Sequence, residues 1–285
     1  MTDFELVAYD EPGRFLAAAA TFLHAAEVAN SMLFLPAERM VAAPQDDDAG
    51  SYWATVSARG AIVAVASHHS TGGVLVTSGP DRACALIAAD MAGRARTPNS
   101  VVGPLASCEA FAQAWREQTG QAHLLRFHLR HFELTQPPPV LPASGCARLP
   151  RDSEVETLVG WIQAFVAEID LPDTEEQTRR RALTRIGNGQ MRIWDDAGPV
   201  ACAGYGAGAS DTVRIAPVYT PPEFRGKGYA SALVADLSRE LFARRKRAIF
   251  LTTDVANPTS NSIYQRIGYR PVADHFHFSL LPGAA

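Results

Sequence analysis

Four consecutive residues, Arg225-Gly226-Lys227-Gly228, place a bare, positively charged turn in front of an apolar run in PPEFRGKGYASALV, from Pro221 to Val234. Such a turn suits a bound phosphate. Glycine lets backbone come close to a ligand and takes dihedrals that other residues avoid. The first turn of a helix leaves its N–H groups unpaired and carries a partial positive charge, so it can hold an anion. After Gly228 the apolar residues fall at Ala230, Leu233, Val234, Leu237, Leu241 and Phe242, the spacing of a helix with one buried face. Upstream, DTVRIAPVYT is rich in β-branched residues and predicts a strand. A mononucleotide loop needs GxxxxGK followed by Ser or Thr, and here Tyr229 and Ala230 follow Gly228. A dinucleotide fingerprint needs GxGxxG, of which RGKGYA supplies only two glycines. An ordinary helix start with a basic turn would use the same residues.

A second constellation lies downstream in AIFLTTDVANPTSNSIYQRIGYRPV: Asn257, Asn261, Tyr264, Gly268 and Tyr269, with Pro271 closing the GYRP element. Asn257-Pro258 suits a turn that starts a helix. Tyr264 follows Asn261 by three residues, so both lie near one face of that helix. Arg225 to Ala230 matches (Q/R)xxGx(G/A), and together the two segments resemble the signature of the GNAT acyltransferase superfamily. The resemblance runs from about Gly145 to Leu281.

That resemblance implies acyl transfer from a coenzyme A thioester, with acetyl-CoA as co-substrate, to an amine. It implies that the backbone N–H groups of Gly226, Lys227, Gly228, Tyr229 and Ala230, with Ser231 in the same first turn, bind the pyrophosphate, and that Arg225 and Lys227 add charge. Val218, Tyr219 and Thr220 would pair with pantetheine as a strand does, and the Val218 N–H would polarise the thioester carbonyl. Tyr264 stands where the family's acid stands, and its alternative is a tyrosine packing helix on sheet. Asn257 and Asn261 would orient the pantetheine arm. Many relatives carry a glutamate on the strand before the loop, and VRIAPVYT has none. Asp254 is the nearest carboxylate for the base. Glu168 and Asp170 are candidates for the acceptor pocket. His275 and His277 have a suitable unperturbed pKa but fit structural roles better.

Other chemistry finds little support. GYGAGAS, from Gly204, lies in a predicted strand, where close backbone approach is the better account. His24, His68 and His69 have no carboxylate or cysteine at a ligand spacing, no GxSxG elbow occurs, and no metal is expected. Cys84, Cys108, Cys146 and Cys202 form no close pairs. A net charge of −4 gives no reason to expect nucleic acid. The basic runs Arg179–Arg181 and Arg244–Arg247 read as helix-end stabilisation, with a coenzyme 3′-phosphate as a lesser alternative. MTDFELVAYDEPGRF has no signal-peptide pattern, and no stretch reaches eighteen apolar residues. A cytoplasmic protein without membrane contact is expected.

The positioning elements follow from length and pattern. The 285 residues, 47% of them hydrophobic, suffice for two ordinary domains. Pro137-Pro138-Pro139 favours stiff extended chain, so the expected division is 1–136, a linker 137–144, and 145–285. The second half reads β-α-α-β-β-β-α-β-α-β: a strand at GCARLP, a helix capped by Ser153 with Glu156, a helix from Thr174 through Ile186, a hairpin turned at Asp195–Gly198, then the elements above. The first half reads as one helical stretch, three strands, then α-β-α-β, with helices at Asp81–Met91 and Leu105–Gln118. Where its phosphate loop should stand is TSGPDRACAL. The expected fold class is therefore α/β with mixed sheets, a tandem GNAT-like arrangement whose first copy is degenerate. The expected activity is N-acetylation of an amine-bearing acceptor, small molecule or protein, with a second copy of the chain as a further candidate partner. The alternative is a non-catalytic acyl-CoA sensor.

Overall fold

Both halves repeat one order of elements, β-α-α-β-β-β-α-β-α-β, in the computed structural model, which describes residues 4–42, 50–69, 72–169, 174–207 and 211–281. The first half contains β1 (Phe4–Tyr9), α1 (Pro12–His24), α2 (Glu27–Ala42), β2 (Tyr52–Ala58), β3 (Ala61–His68), β4 (Val74–Val76), α3 (Asp81–Gly93), β5 (Ser100–Gly103), α4 (Leu105–Thr119) and β6 (His123–Leu134). The second contains β7 (Cys146–Arg148), α5 (Val155–Glu168), α6 (Glu175–Gly187), β8 (Met191–Asp195), β9 (Pro199–Ala207), β10 (Thr212–Tyr219), α7 (Tyr229–Ala243), β11 (Ala248–Asp254), α8 (Pro258–Ile267) and β12 (Arg270–Leu280).

Three local expectations are corrected. The chain opens with a strand, FELVAY, which pairs antiparallel with β2, rather than with a helix. The single helical stretch divides into α1 and α2 at Ala25-Ala26, with Pro12 at the start of α1. Ser153 does not cap α5. A 3-10 turn over Asp152–Glu154 precedes it, Glu154 accepts from the Arg151 N–H at 2.7 Å, and Glu156 instead takes both terminal nitrogens of Arg179. The capping box stands on α6 instead: Thr174 accepts from Gln177 N, and Gln177 reaches back to Thr174 N.

By contact the chain forms two units. The first comprises the described residues up to His131, Thr252–Asn257 and those from Pro271 onward. Its strands run β1-β2-β3-β4-β5-β12-β6, so the last strand of the chain, not the last strand of its own half, pairs with β5: Phe276 opposite Gly103, Phe278 opposite Val101. One face of this sheet packs on α3 and α4 through Ile87, Met91, Phe111 and Trp115. Phe15, Leu33, Phe34 and Trp53 form a second core with α1 and α2.

The second unit comprises Phe132–Leu251 and Pro258–Arg270. Its strands run β11-β10-β9-β8-β7. Leu233, Val234, Leu237 and Leu241 of α7 pack on Val213, Ile215, Ala203 and Tyr205, joined by Phe132 and Leu134. On the other face, Leu158, Val159 and Ile162 of α5 and Ala182 of α6 cover Met191, Ile193 and Cys202, with Trp161 and Phe165 partly buried beside them. Among the described residues no helix is long and apolar enough to cross a membrane.

Candidate active site

The site residues of the second unit are placed by one strand, β10, and the turn that follows it. Antiparallel pairing of β10 with β9 is interrupted between Ile215 and Val218, a bulge centred on Ala216-Pro217. Gly204 on β9 is required there. A Cβ at this position would lie 2.5 Å from Met191 Sδ and 3.2 Å from the Ala216 carbonyl oxygen. The glycine of GYGAGAS thus serves close backbone approach, as read from the sequence; residues 208–210 of that motif lie outside the described residues.

On its other edge β10 runs parallel to β11 over Thr212–Ala248, Val213–Ile249 and Arg214–Phe250, and among the described residues the pairing goes no further. The strand therefore continues through Val218 and Tyr219 with its edge toward β11 unpaired. Peptide-like amides can add to such an edge as another strand would. A 3-10 turn, Pro222–Phe224, then leads into Arg225–Gly228, all four exposed. Gly226 and Gly228 have φ of +79° and +83°, and a Cβ at either would meet nothing within 4 Å. They are glycines for backbone conformation, and their outer side is open. Gly228 caps α7, whose first backbone bond of this kind is Ala232 N–H to Gly228 O at 3.0 Å. The N–H groups of Tyr229, Ala230 and Ser231 thus have no intrahelical acceptor, which together with the helix dipole makes an anion cradle. Strand edge, open glycines and free first turn fit a pantetheine-pyrophosphate chain.

The basic side chains of the turn have contacts of their own. Arg225 donates from Nε to the Thr220 carbonyl at 2.8 Å and from a terminal nitrogen to both oxygens of Glu168, at 2.7 and 2.9 Å, while its guanidinium lies over the Tyr219 ring. Glu168, read as an acceptor-pocket residue, is the partner that holds Arg225. Asp170 lies outside the described residues. Lys227 sits 5.8 Å from the Phe224 ring centroid. Tyr229, read only for its N–H, is buried and donates its hydroxyl to Asp196 in the β8–β9 turn, which also accepts from Ser144 Oγ at 2.7 Å. Thr220 Oγ1 is shielded and has no hydrogen-bond partner among the described residues.

Tyr264 is half-buried on α8, its ring 6.3 Å from Phe132 and 6.0 Å from Tyr269 by centroids. Its hydroxyl has no hydrogen bond among the described residues, and burial pushes its pKa up to about 12, so the phenol stays protonated at neutral pH. Tyr269 instead bonds Ser238 of α7 at 2.9 Å and fixes the end of α8. Gly268, at φ +111°, makes the turn between them.

Asp254 and Asn257 group with the first unit, while Asn261 and Tyr264 group with the second. The Asp254 carboxylate accepts from Ala256 N at 2.8 Å and its carbonyl from Asn257 N at 3.0 Å, closing the turn before α8. His275 is buried, 3.2 Å from His131, and burial pushes its pKa down to about 4; His277 is also shifted down, by burial and then by Arg126. Neither imidazole carries charge at neutral pH, and the His275–His131–Thr252 network is packed inside its unit.

The first half has a turn at the equivalent point, between β4 and α3, and there a Cβ on Gly79 would lie 2.7 Å from the Ala64 Cβ and 2.9 Å from the Val63 carbonyl oxygen. Its own sheet fills the space that stands open at Gly226 and Gly228. Glu168 and Asp196 are the residues sequence reasoning missed in their present roles, since each acts through a partner distant along the chain.

Comparison with known proteins bears on the fold. The model of the Acetyltransferase (GNAT) family matches residues 155–269. A GCN5-related N-acetyltransferase from Sphaerobacter thermophilus is similar in structure, with TM-score 0.67 and 17% identity, over 98% of this chain and 97% of that one. A GNAT-family acetyltransferase from Colwellia psychrerythraea gives 0.60 and 10%, over 98% and 100%. A tandem GNAT protein of the clavulanic acid biosynthesis pathway gives 0.57 and 15%, over 99% of each chain. At these identities the likeness is one of fold, and it spans both halves. No curated protein matches the chain in sequence. The chain has the tandem GNAT fold, and its residues 155–269 match the model of the acetyltransferase (GNAT) family.

Proposed function

We propose that the chain is an N-acetyltransferase that moves the acetyl group of acetyl-CoA to a primary amine. The observation that carries this reading is the run from the unpaired edge of β10 through two outward-open glycines to a helix start with free N–H groups. The coenzyme supplies an acetyl thioester, whose carbonyl carbon gains the amine nitrogen as the carbon–sulfur bond breaks. Backbone N–H groups of Gly226 to Ala230, with Ser231, hold the pyrophosphate, and Val218, Tyr219 and Thr220 align the pantetheine arm. The Val218 N–H stabilises charge on the carbonyl oxygen. Arg225 acts through Thr220 and Glu168 to hold the turn. Tyr264, neutral and without a competing partner, gives its proton to the leaving thiolate. Asp254 is assigned the amine's proton, and Asn257 and Asn261 the orientation of the arm.

A second reading, a coenzyme-binding sensor without turnover, draws on the absence of a glutamate from β10. Isothermal titration with acetyl-CoA, followed by thiol release against a panel of primary amines, separates the two. Binding with amine-dependent release is expected. Binding without release from any amine favours the sensor, and no binding removes both. Asp254→Asn keeps the acceptor for Ala256 N and should lower kcat/KM by about 100-fold if the carboxylate is the base.

A further inference from the structure

Arginines in the second unit are mostly matched to carboxylates: Arg148 to Glu154 and Asp195, Arg179 to Glu156, Arg192 to Glu240, Arg225 to Glu168. Arg214 on β10 is not. Val213 and Ile215 point into the α7 core, so the alternation of a strand turns Arg214 to the opposite face, under α5 and α6. Its Nε is fully shielded and has no hydrogen-bond partner, and no ion pair reaches the guanidinium among the described residues.

A second arginine comes to the same face. On α6 the side chains turned toward the sheet include Thr178, Ala182 and Ile186, and Arg185 falls on this stripe. Arg185 has no carboxylate or hydrogen-bond partner among the described residues either. Burial first, then the like charges of Arg214 and Arg181, push its guanidinium below the usual arginine range, and burial alone does so for Arg214. Thr178 Oγ1, buried on the same stripe, is a further polar atom without a partner among the described residues. Two partly buried guanidiniums on one face, with no acid on either among the described residues, are costly, because each loses hydration and each repels the other. A planar oxyanion between them would satisfy both, since arginine's fork matches carboxylate and phosphate oxygens.

We propose that Arg214 and Arg185 form an anion-binding site on the α5–α6 face of the second unit's sheet, and that this site receives a carboxylate or phosphate carried by the amine acceptor. Assignment of the anion to the acceptor rests on the acetyl-transfer reading; the site itself does not. The substrate class that follows is an amine that also bears an acidic group.

The test begins with binding alone. Succinate and inorganic phosphate are titrated by thermal shift into wild type, Arg214→Met and Arg185→Gln, each saturated with coenzyme A so that the phosphate cradle is occupied. Wild type should be stabilised saturably, with the apparent affinity at least about tenfold weaker in both variants. Arg214→Met without anion should unfold no lower than wild type, because it removes an unmatched charge. An identical anion response in all three proteins, or none in wild type, overturns the site. Turnover then tests the acceptor: amino acids are compared with their C-terminal amides. The acids should be favoured at least about tenfold in kcat/KM, and Arg214→Met should erase that preference while leaving acetyl-CoA affinity unchanged. Equal kcat/KM for acid and amide in wild type overturns the acceptor assignment. Loss of the transfer reading has a separate signature, wild-type protein that binds no acetyl-CoA; succinate titrated without coenzyme A into wild type and Arg214→Met then decides the site.

Discussion

Tyr264 shows how much of a residue's role depends on what it does not touch. Its ring is held by Phe132 and Tyr269 while its hydroxyl is left unbonded among the described residues, whereas Tyr269 spends its hydroxyl on Ser238. A phenol that only packed would lose little on truncation. Tyr264→Phe should therefore lower kcat about 100-fold, with acetyl-CoA affinity and thermal stability unchanged, as steady-state kinetics and calorimetry can check. The pH sign follows from the raised pKa. An acid must be protonated to act, so this group sets no alkaline limit until pH nears about 12. An alkaline limb nearer pH 8 that persists in Tyr264→Phe belongs to another group. Arg225 teaches the complementary lesson: as a half-exposed ion pair with Glu168 it contributes at most about 1 kcal/mol, and its main effect is to hold the turn.

At the scale of elements, two strand-turn-helix units with the same order have opposite uses. The turn before α7 keeps its glycines open, and the turn before α3 presses Gly79 against β3. Alanine at the two places should separate binding from packing. Gly228→Ala forces a side chain to φ +83°, at about 1–2 kcal/mol, and should weaken acetyl-CoA at least about tenfold. Gly79→Ala sets a methyl 2.7 Å from the Ala64 Cβ and should destabilise by about 1–3 kcal/mol, leaving coenzyme affinity untouched. Titration calorimetry and urea unfolding on both variants provide the check. A Gly79→Ala protein with weakened coenzyme binding would contradict the division of labour.

At the scale of the molecule, the strand that ends the chain completes the unit that begins it. β12 lies between β5 and β6 within the first unit, and His275 on it meets His131 on β6 inside the core. Burial lowers the His275 pKa from 6.5 to about 4, so the folded state favours neutral imidazole. The sign is that of a depressed group: its contribution is complete above about pH 6.5 and is lost as pH falls toward 4, because the unfolded chain takes up the proton first. The amplitude is on the order of 3 kcal/mol from about 1.4 kcal/mol per unit. Urea midpoints measured from pH 7 to 4 should fall more steeply for wild type than for His275→Gln, and parallel curves would refute the assignment.

The sequence by itself determined the local half of this protein. Periodicity gave most helices and strands, the glycine pattern gave the loop at Arg225–Gly228, and the Asn–Tyr spacing gave the α8 residues, because each signal is written within a few consecutive residues. β1 was missed because its short run precedes Pro12 and α1 closely, and α1 and α2 merged because no breaker stands at Ala25-Ala26. Tertiary structure alone decided that β12 joins β5, that Glu168 claims Arg225, that Asp196 holds Tyr229, and that Arg214 and Arg185 come to one face with no acid on either among the described residues. Strand partners and ion pairs join residues tens to more than a hundred positions apart. No local pattern encodes which charges are matched once the chain has folded.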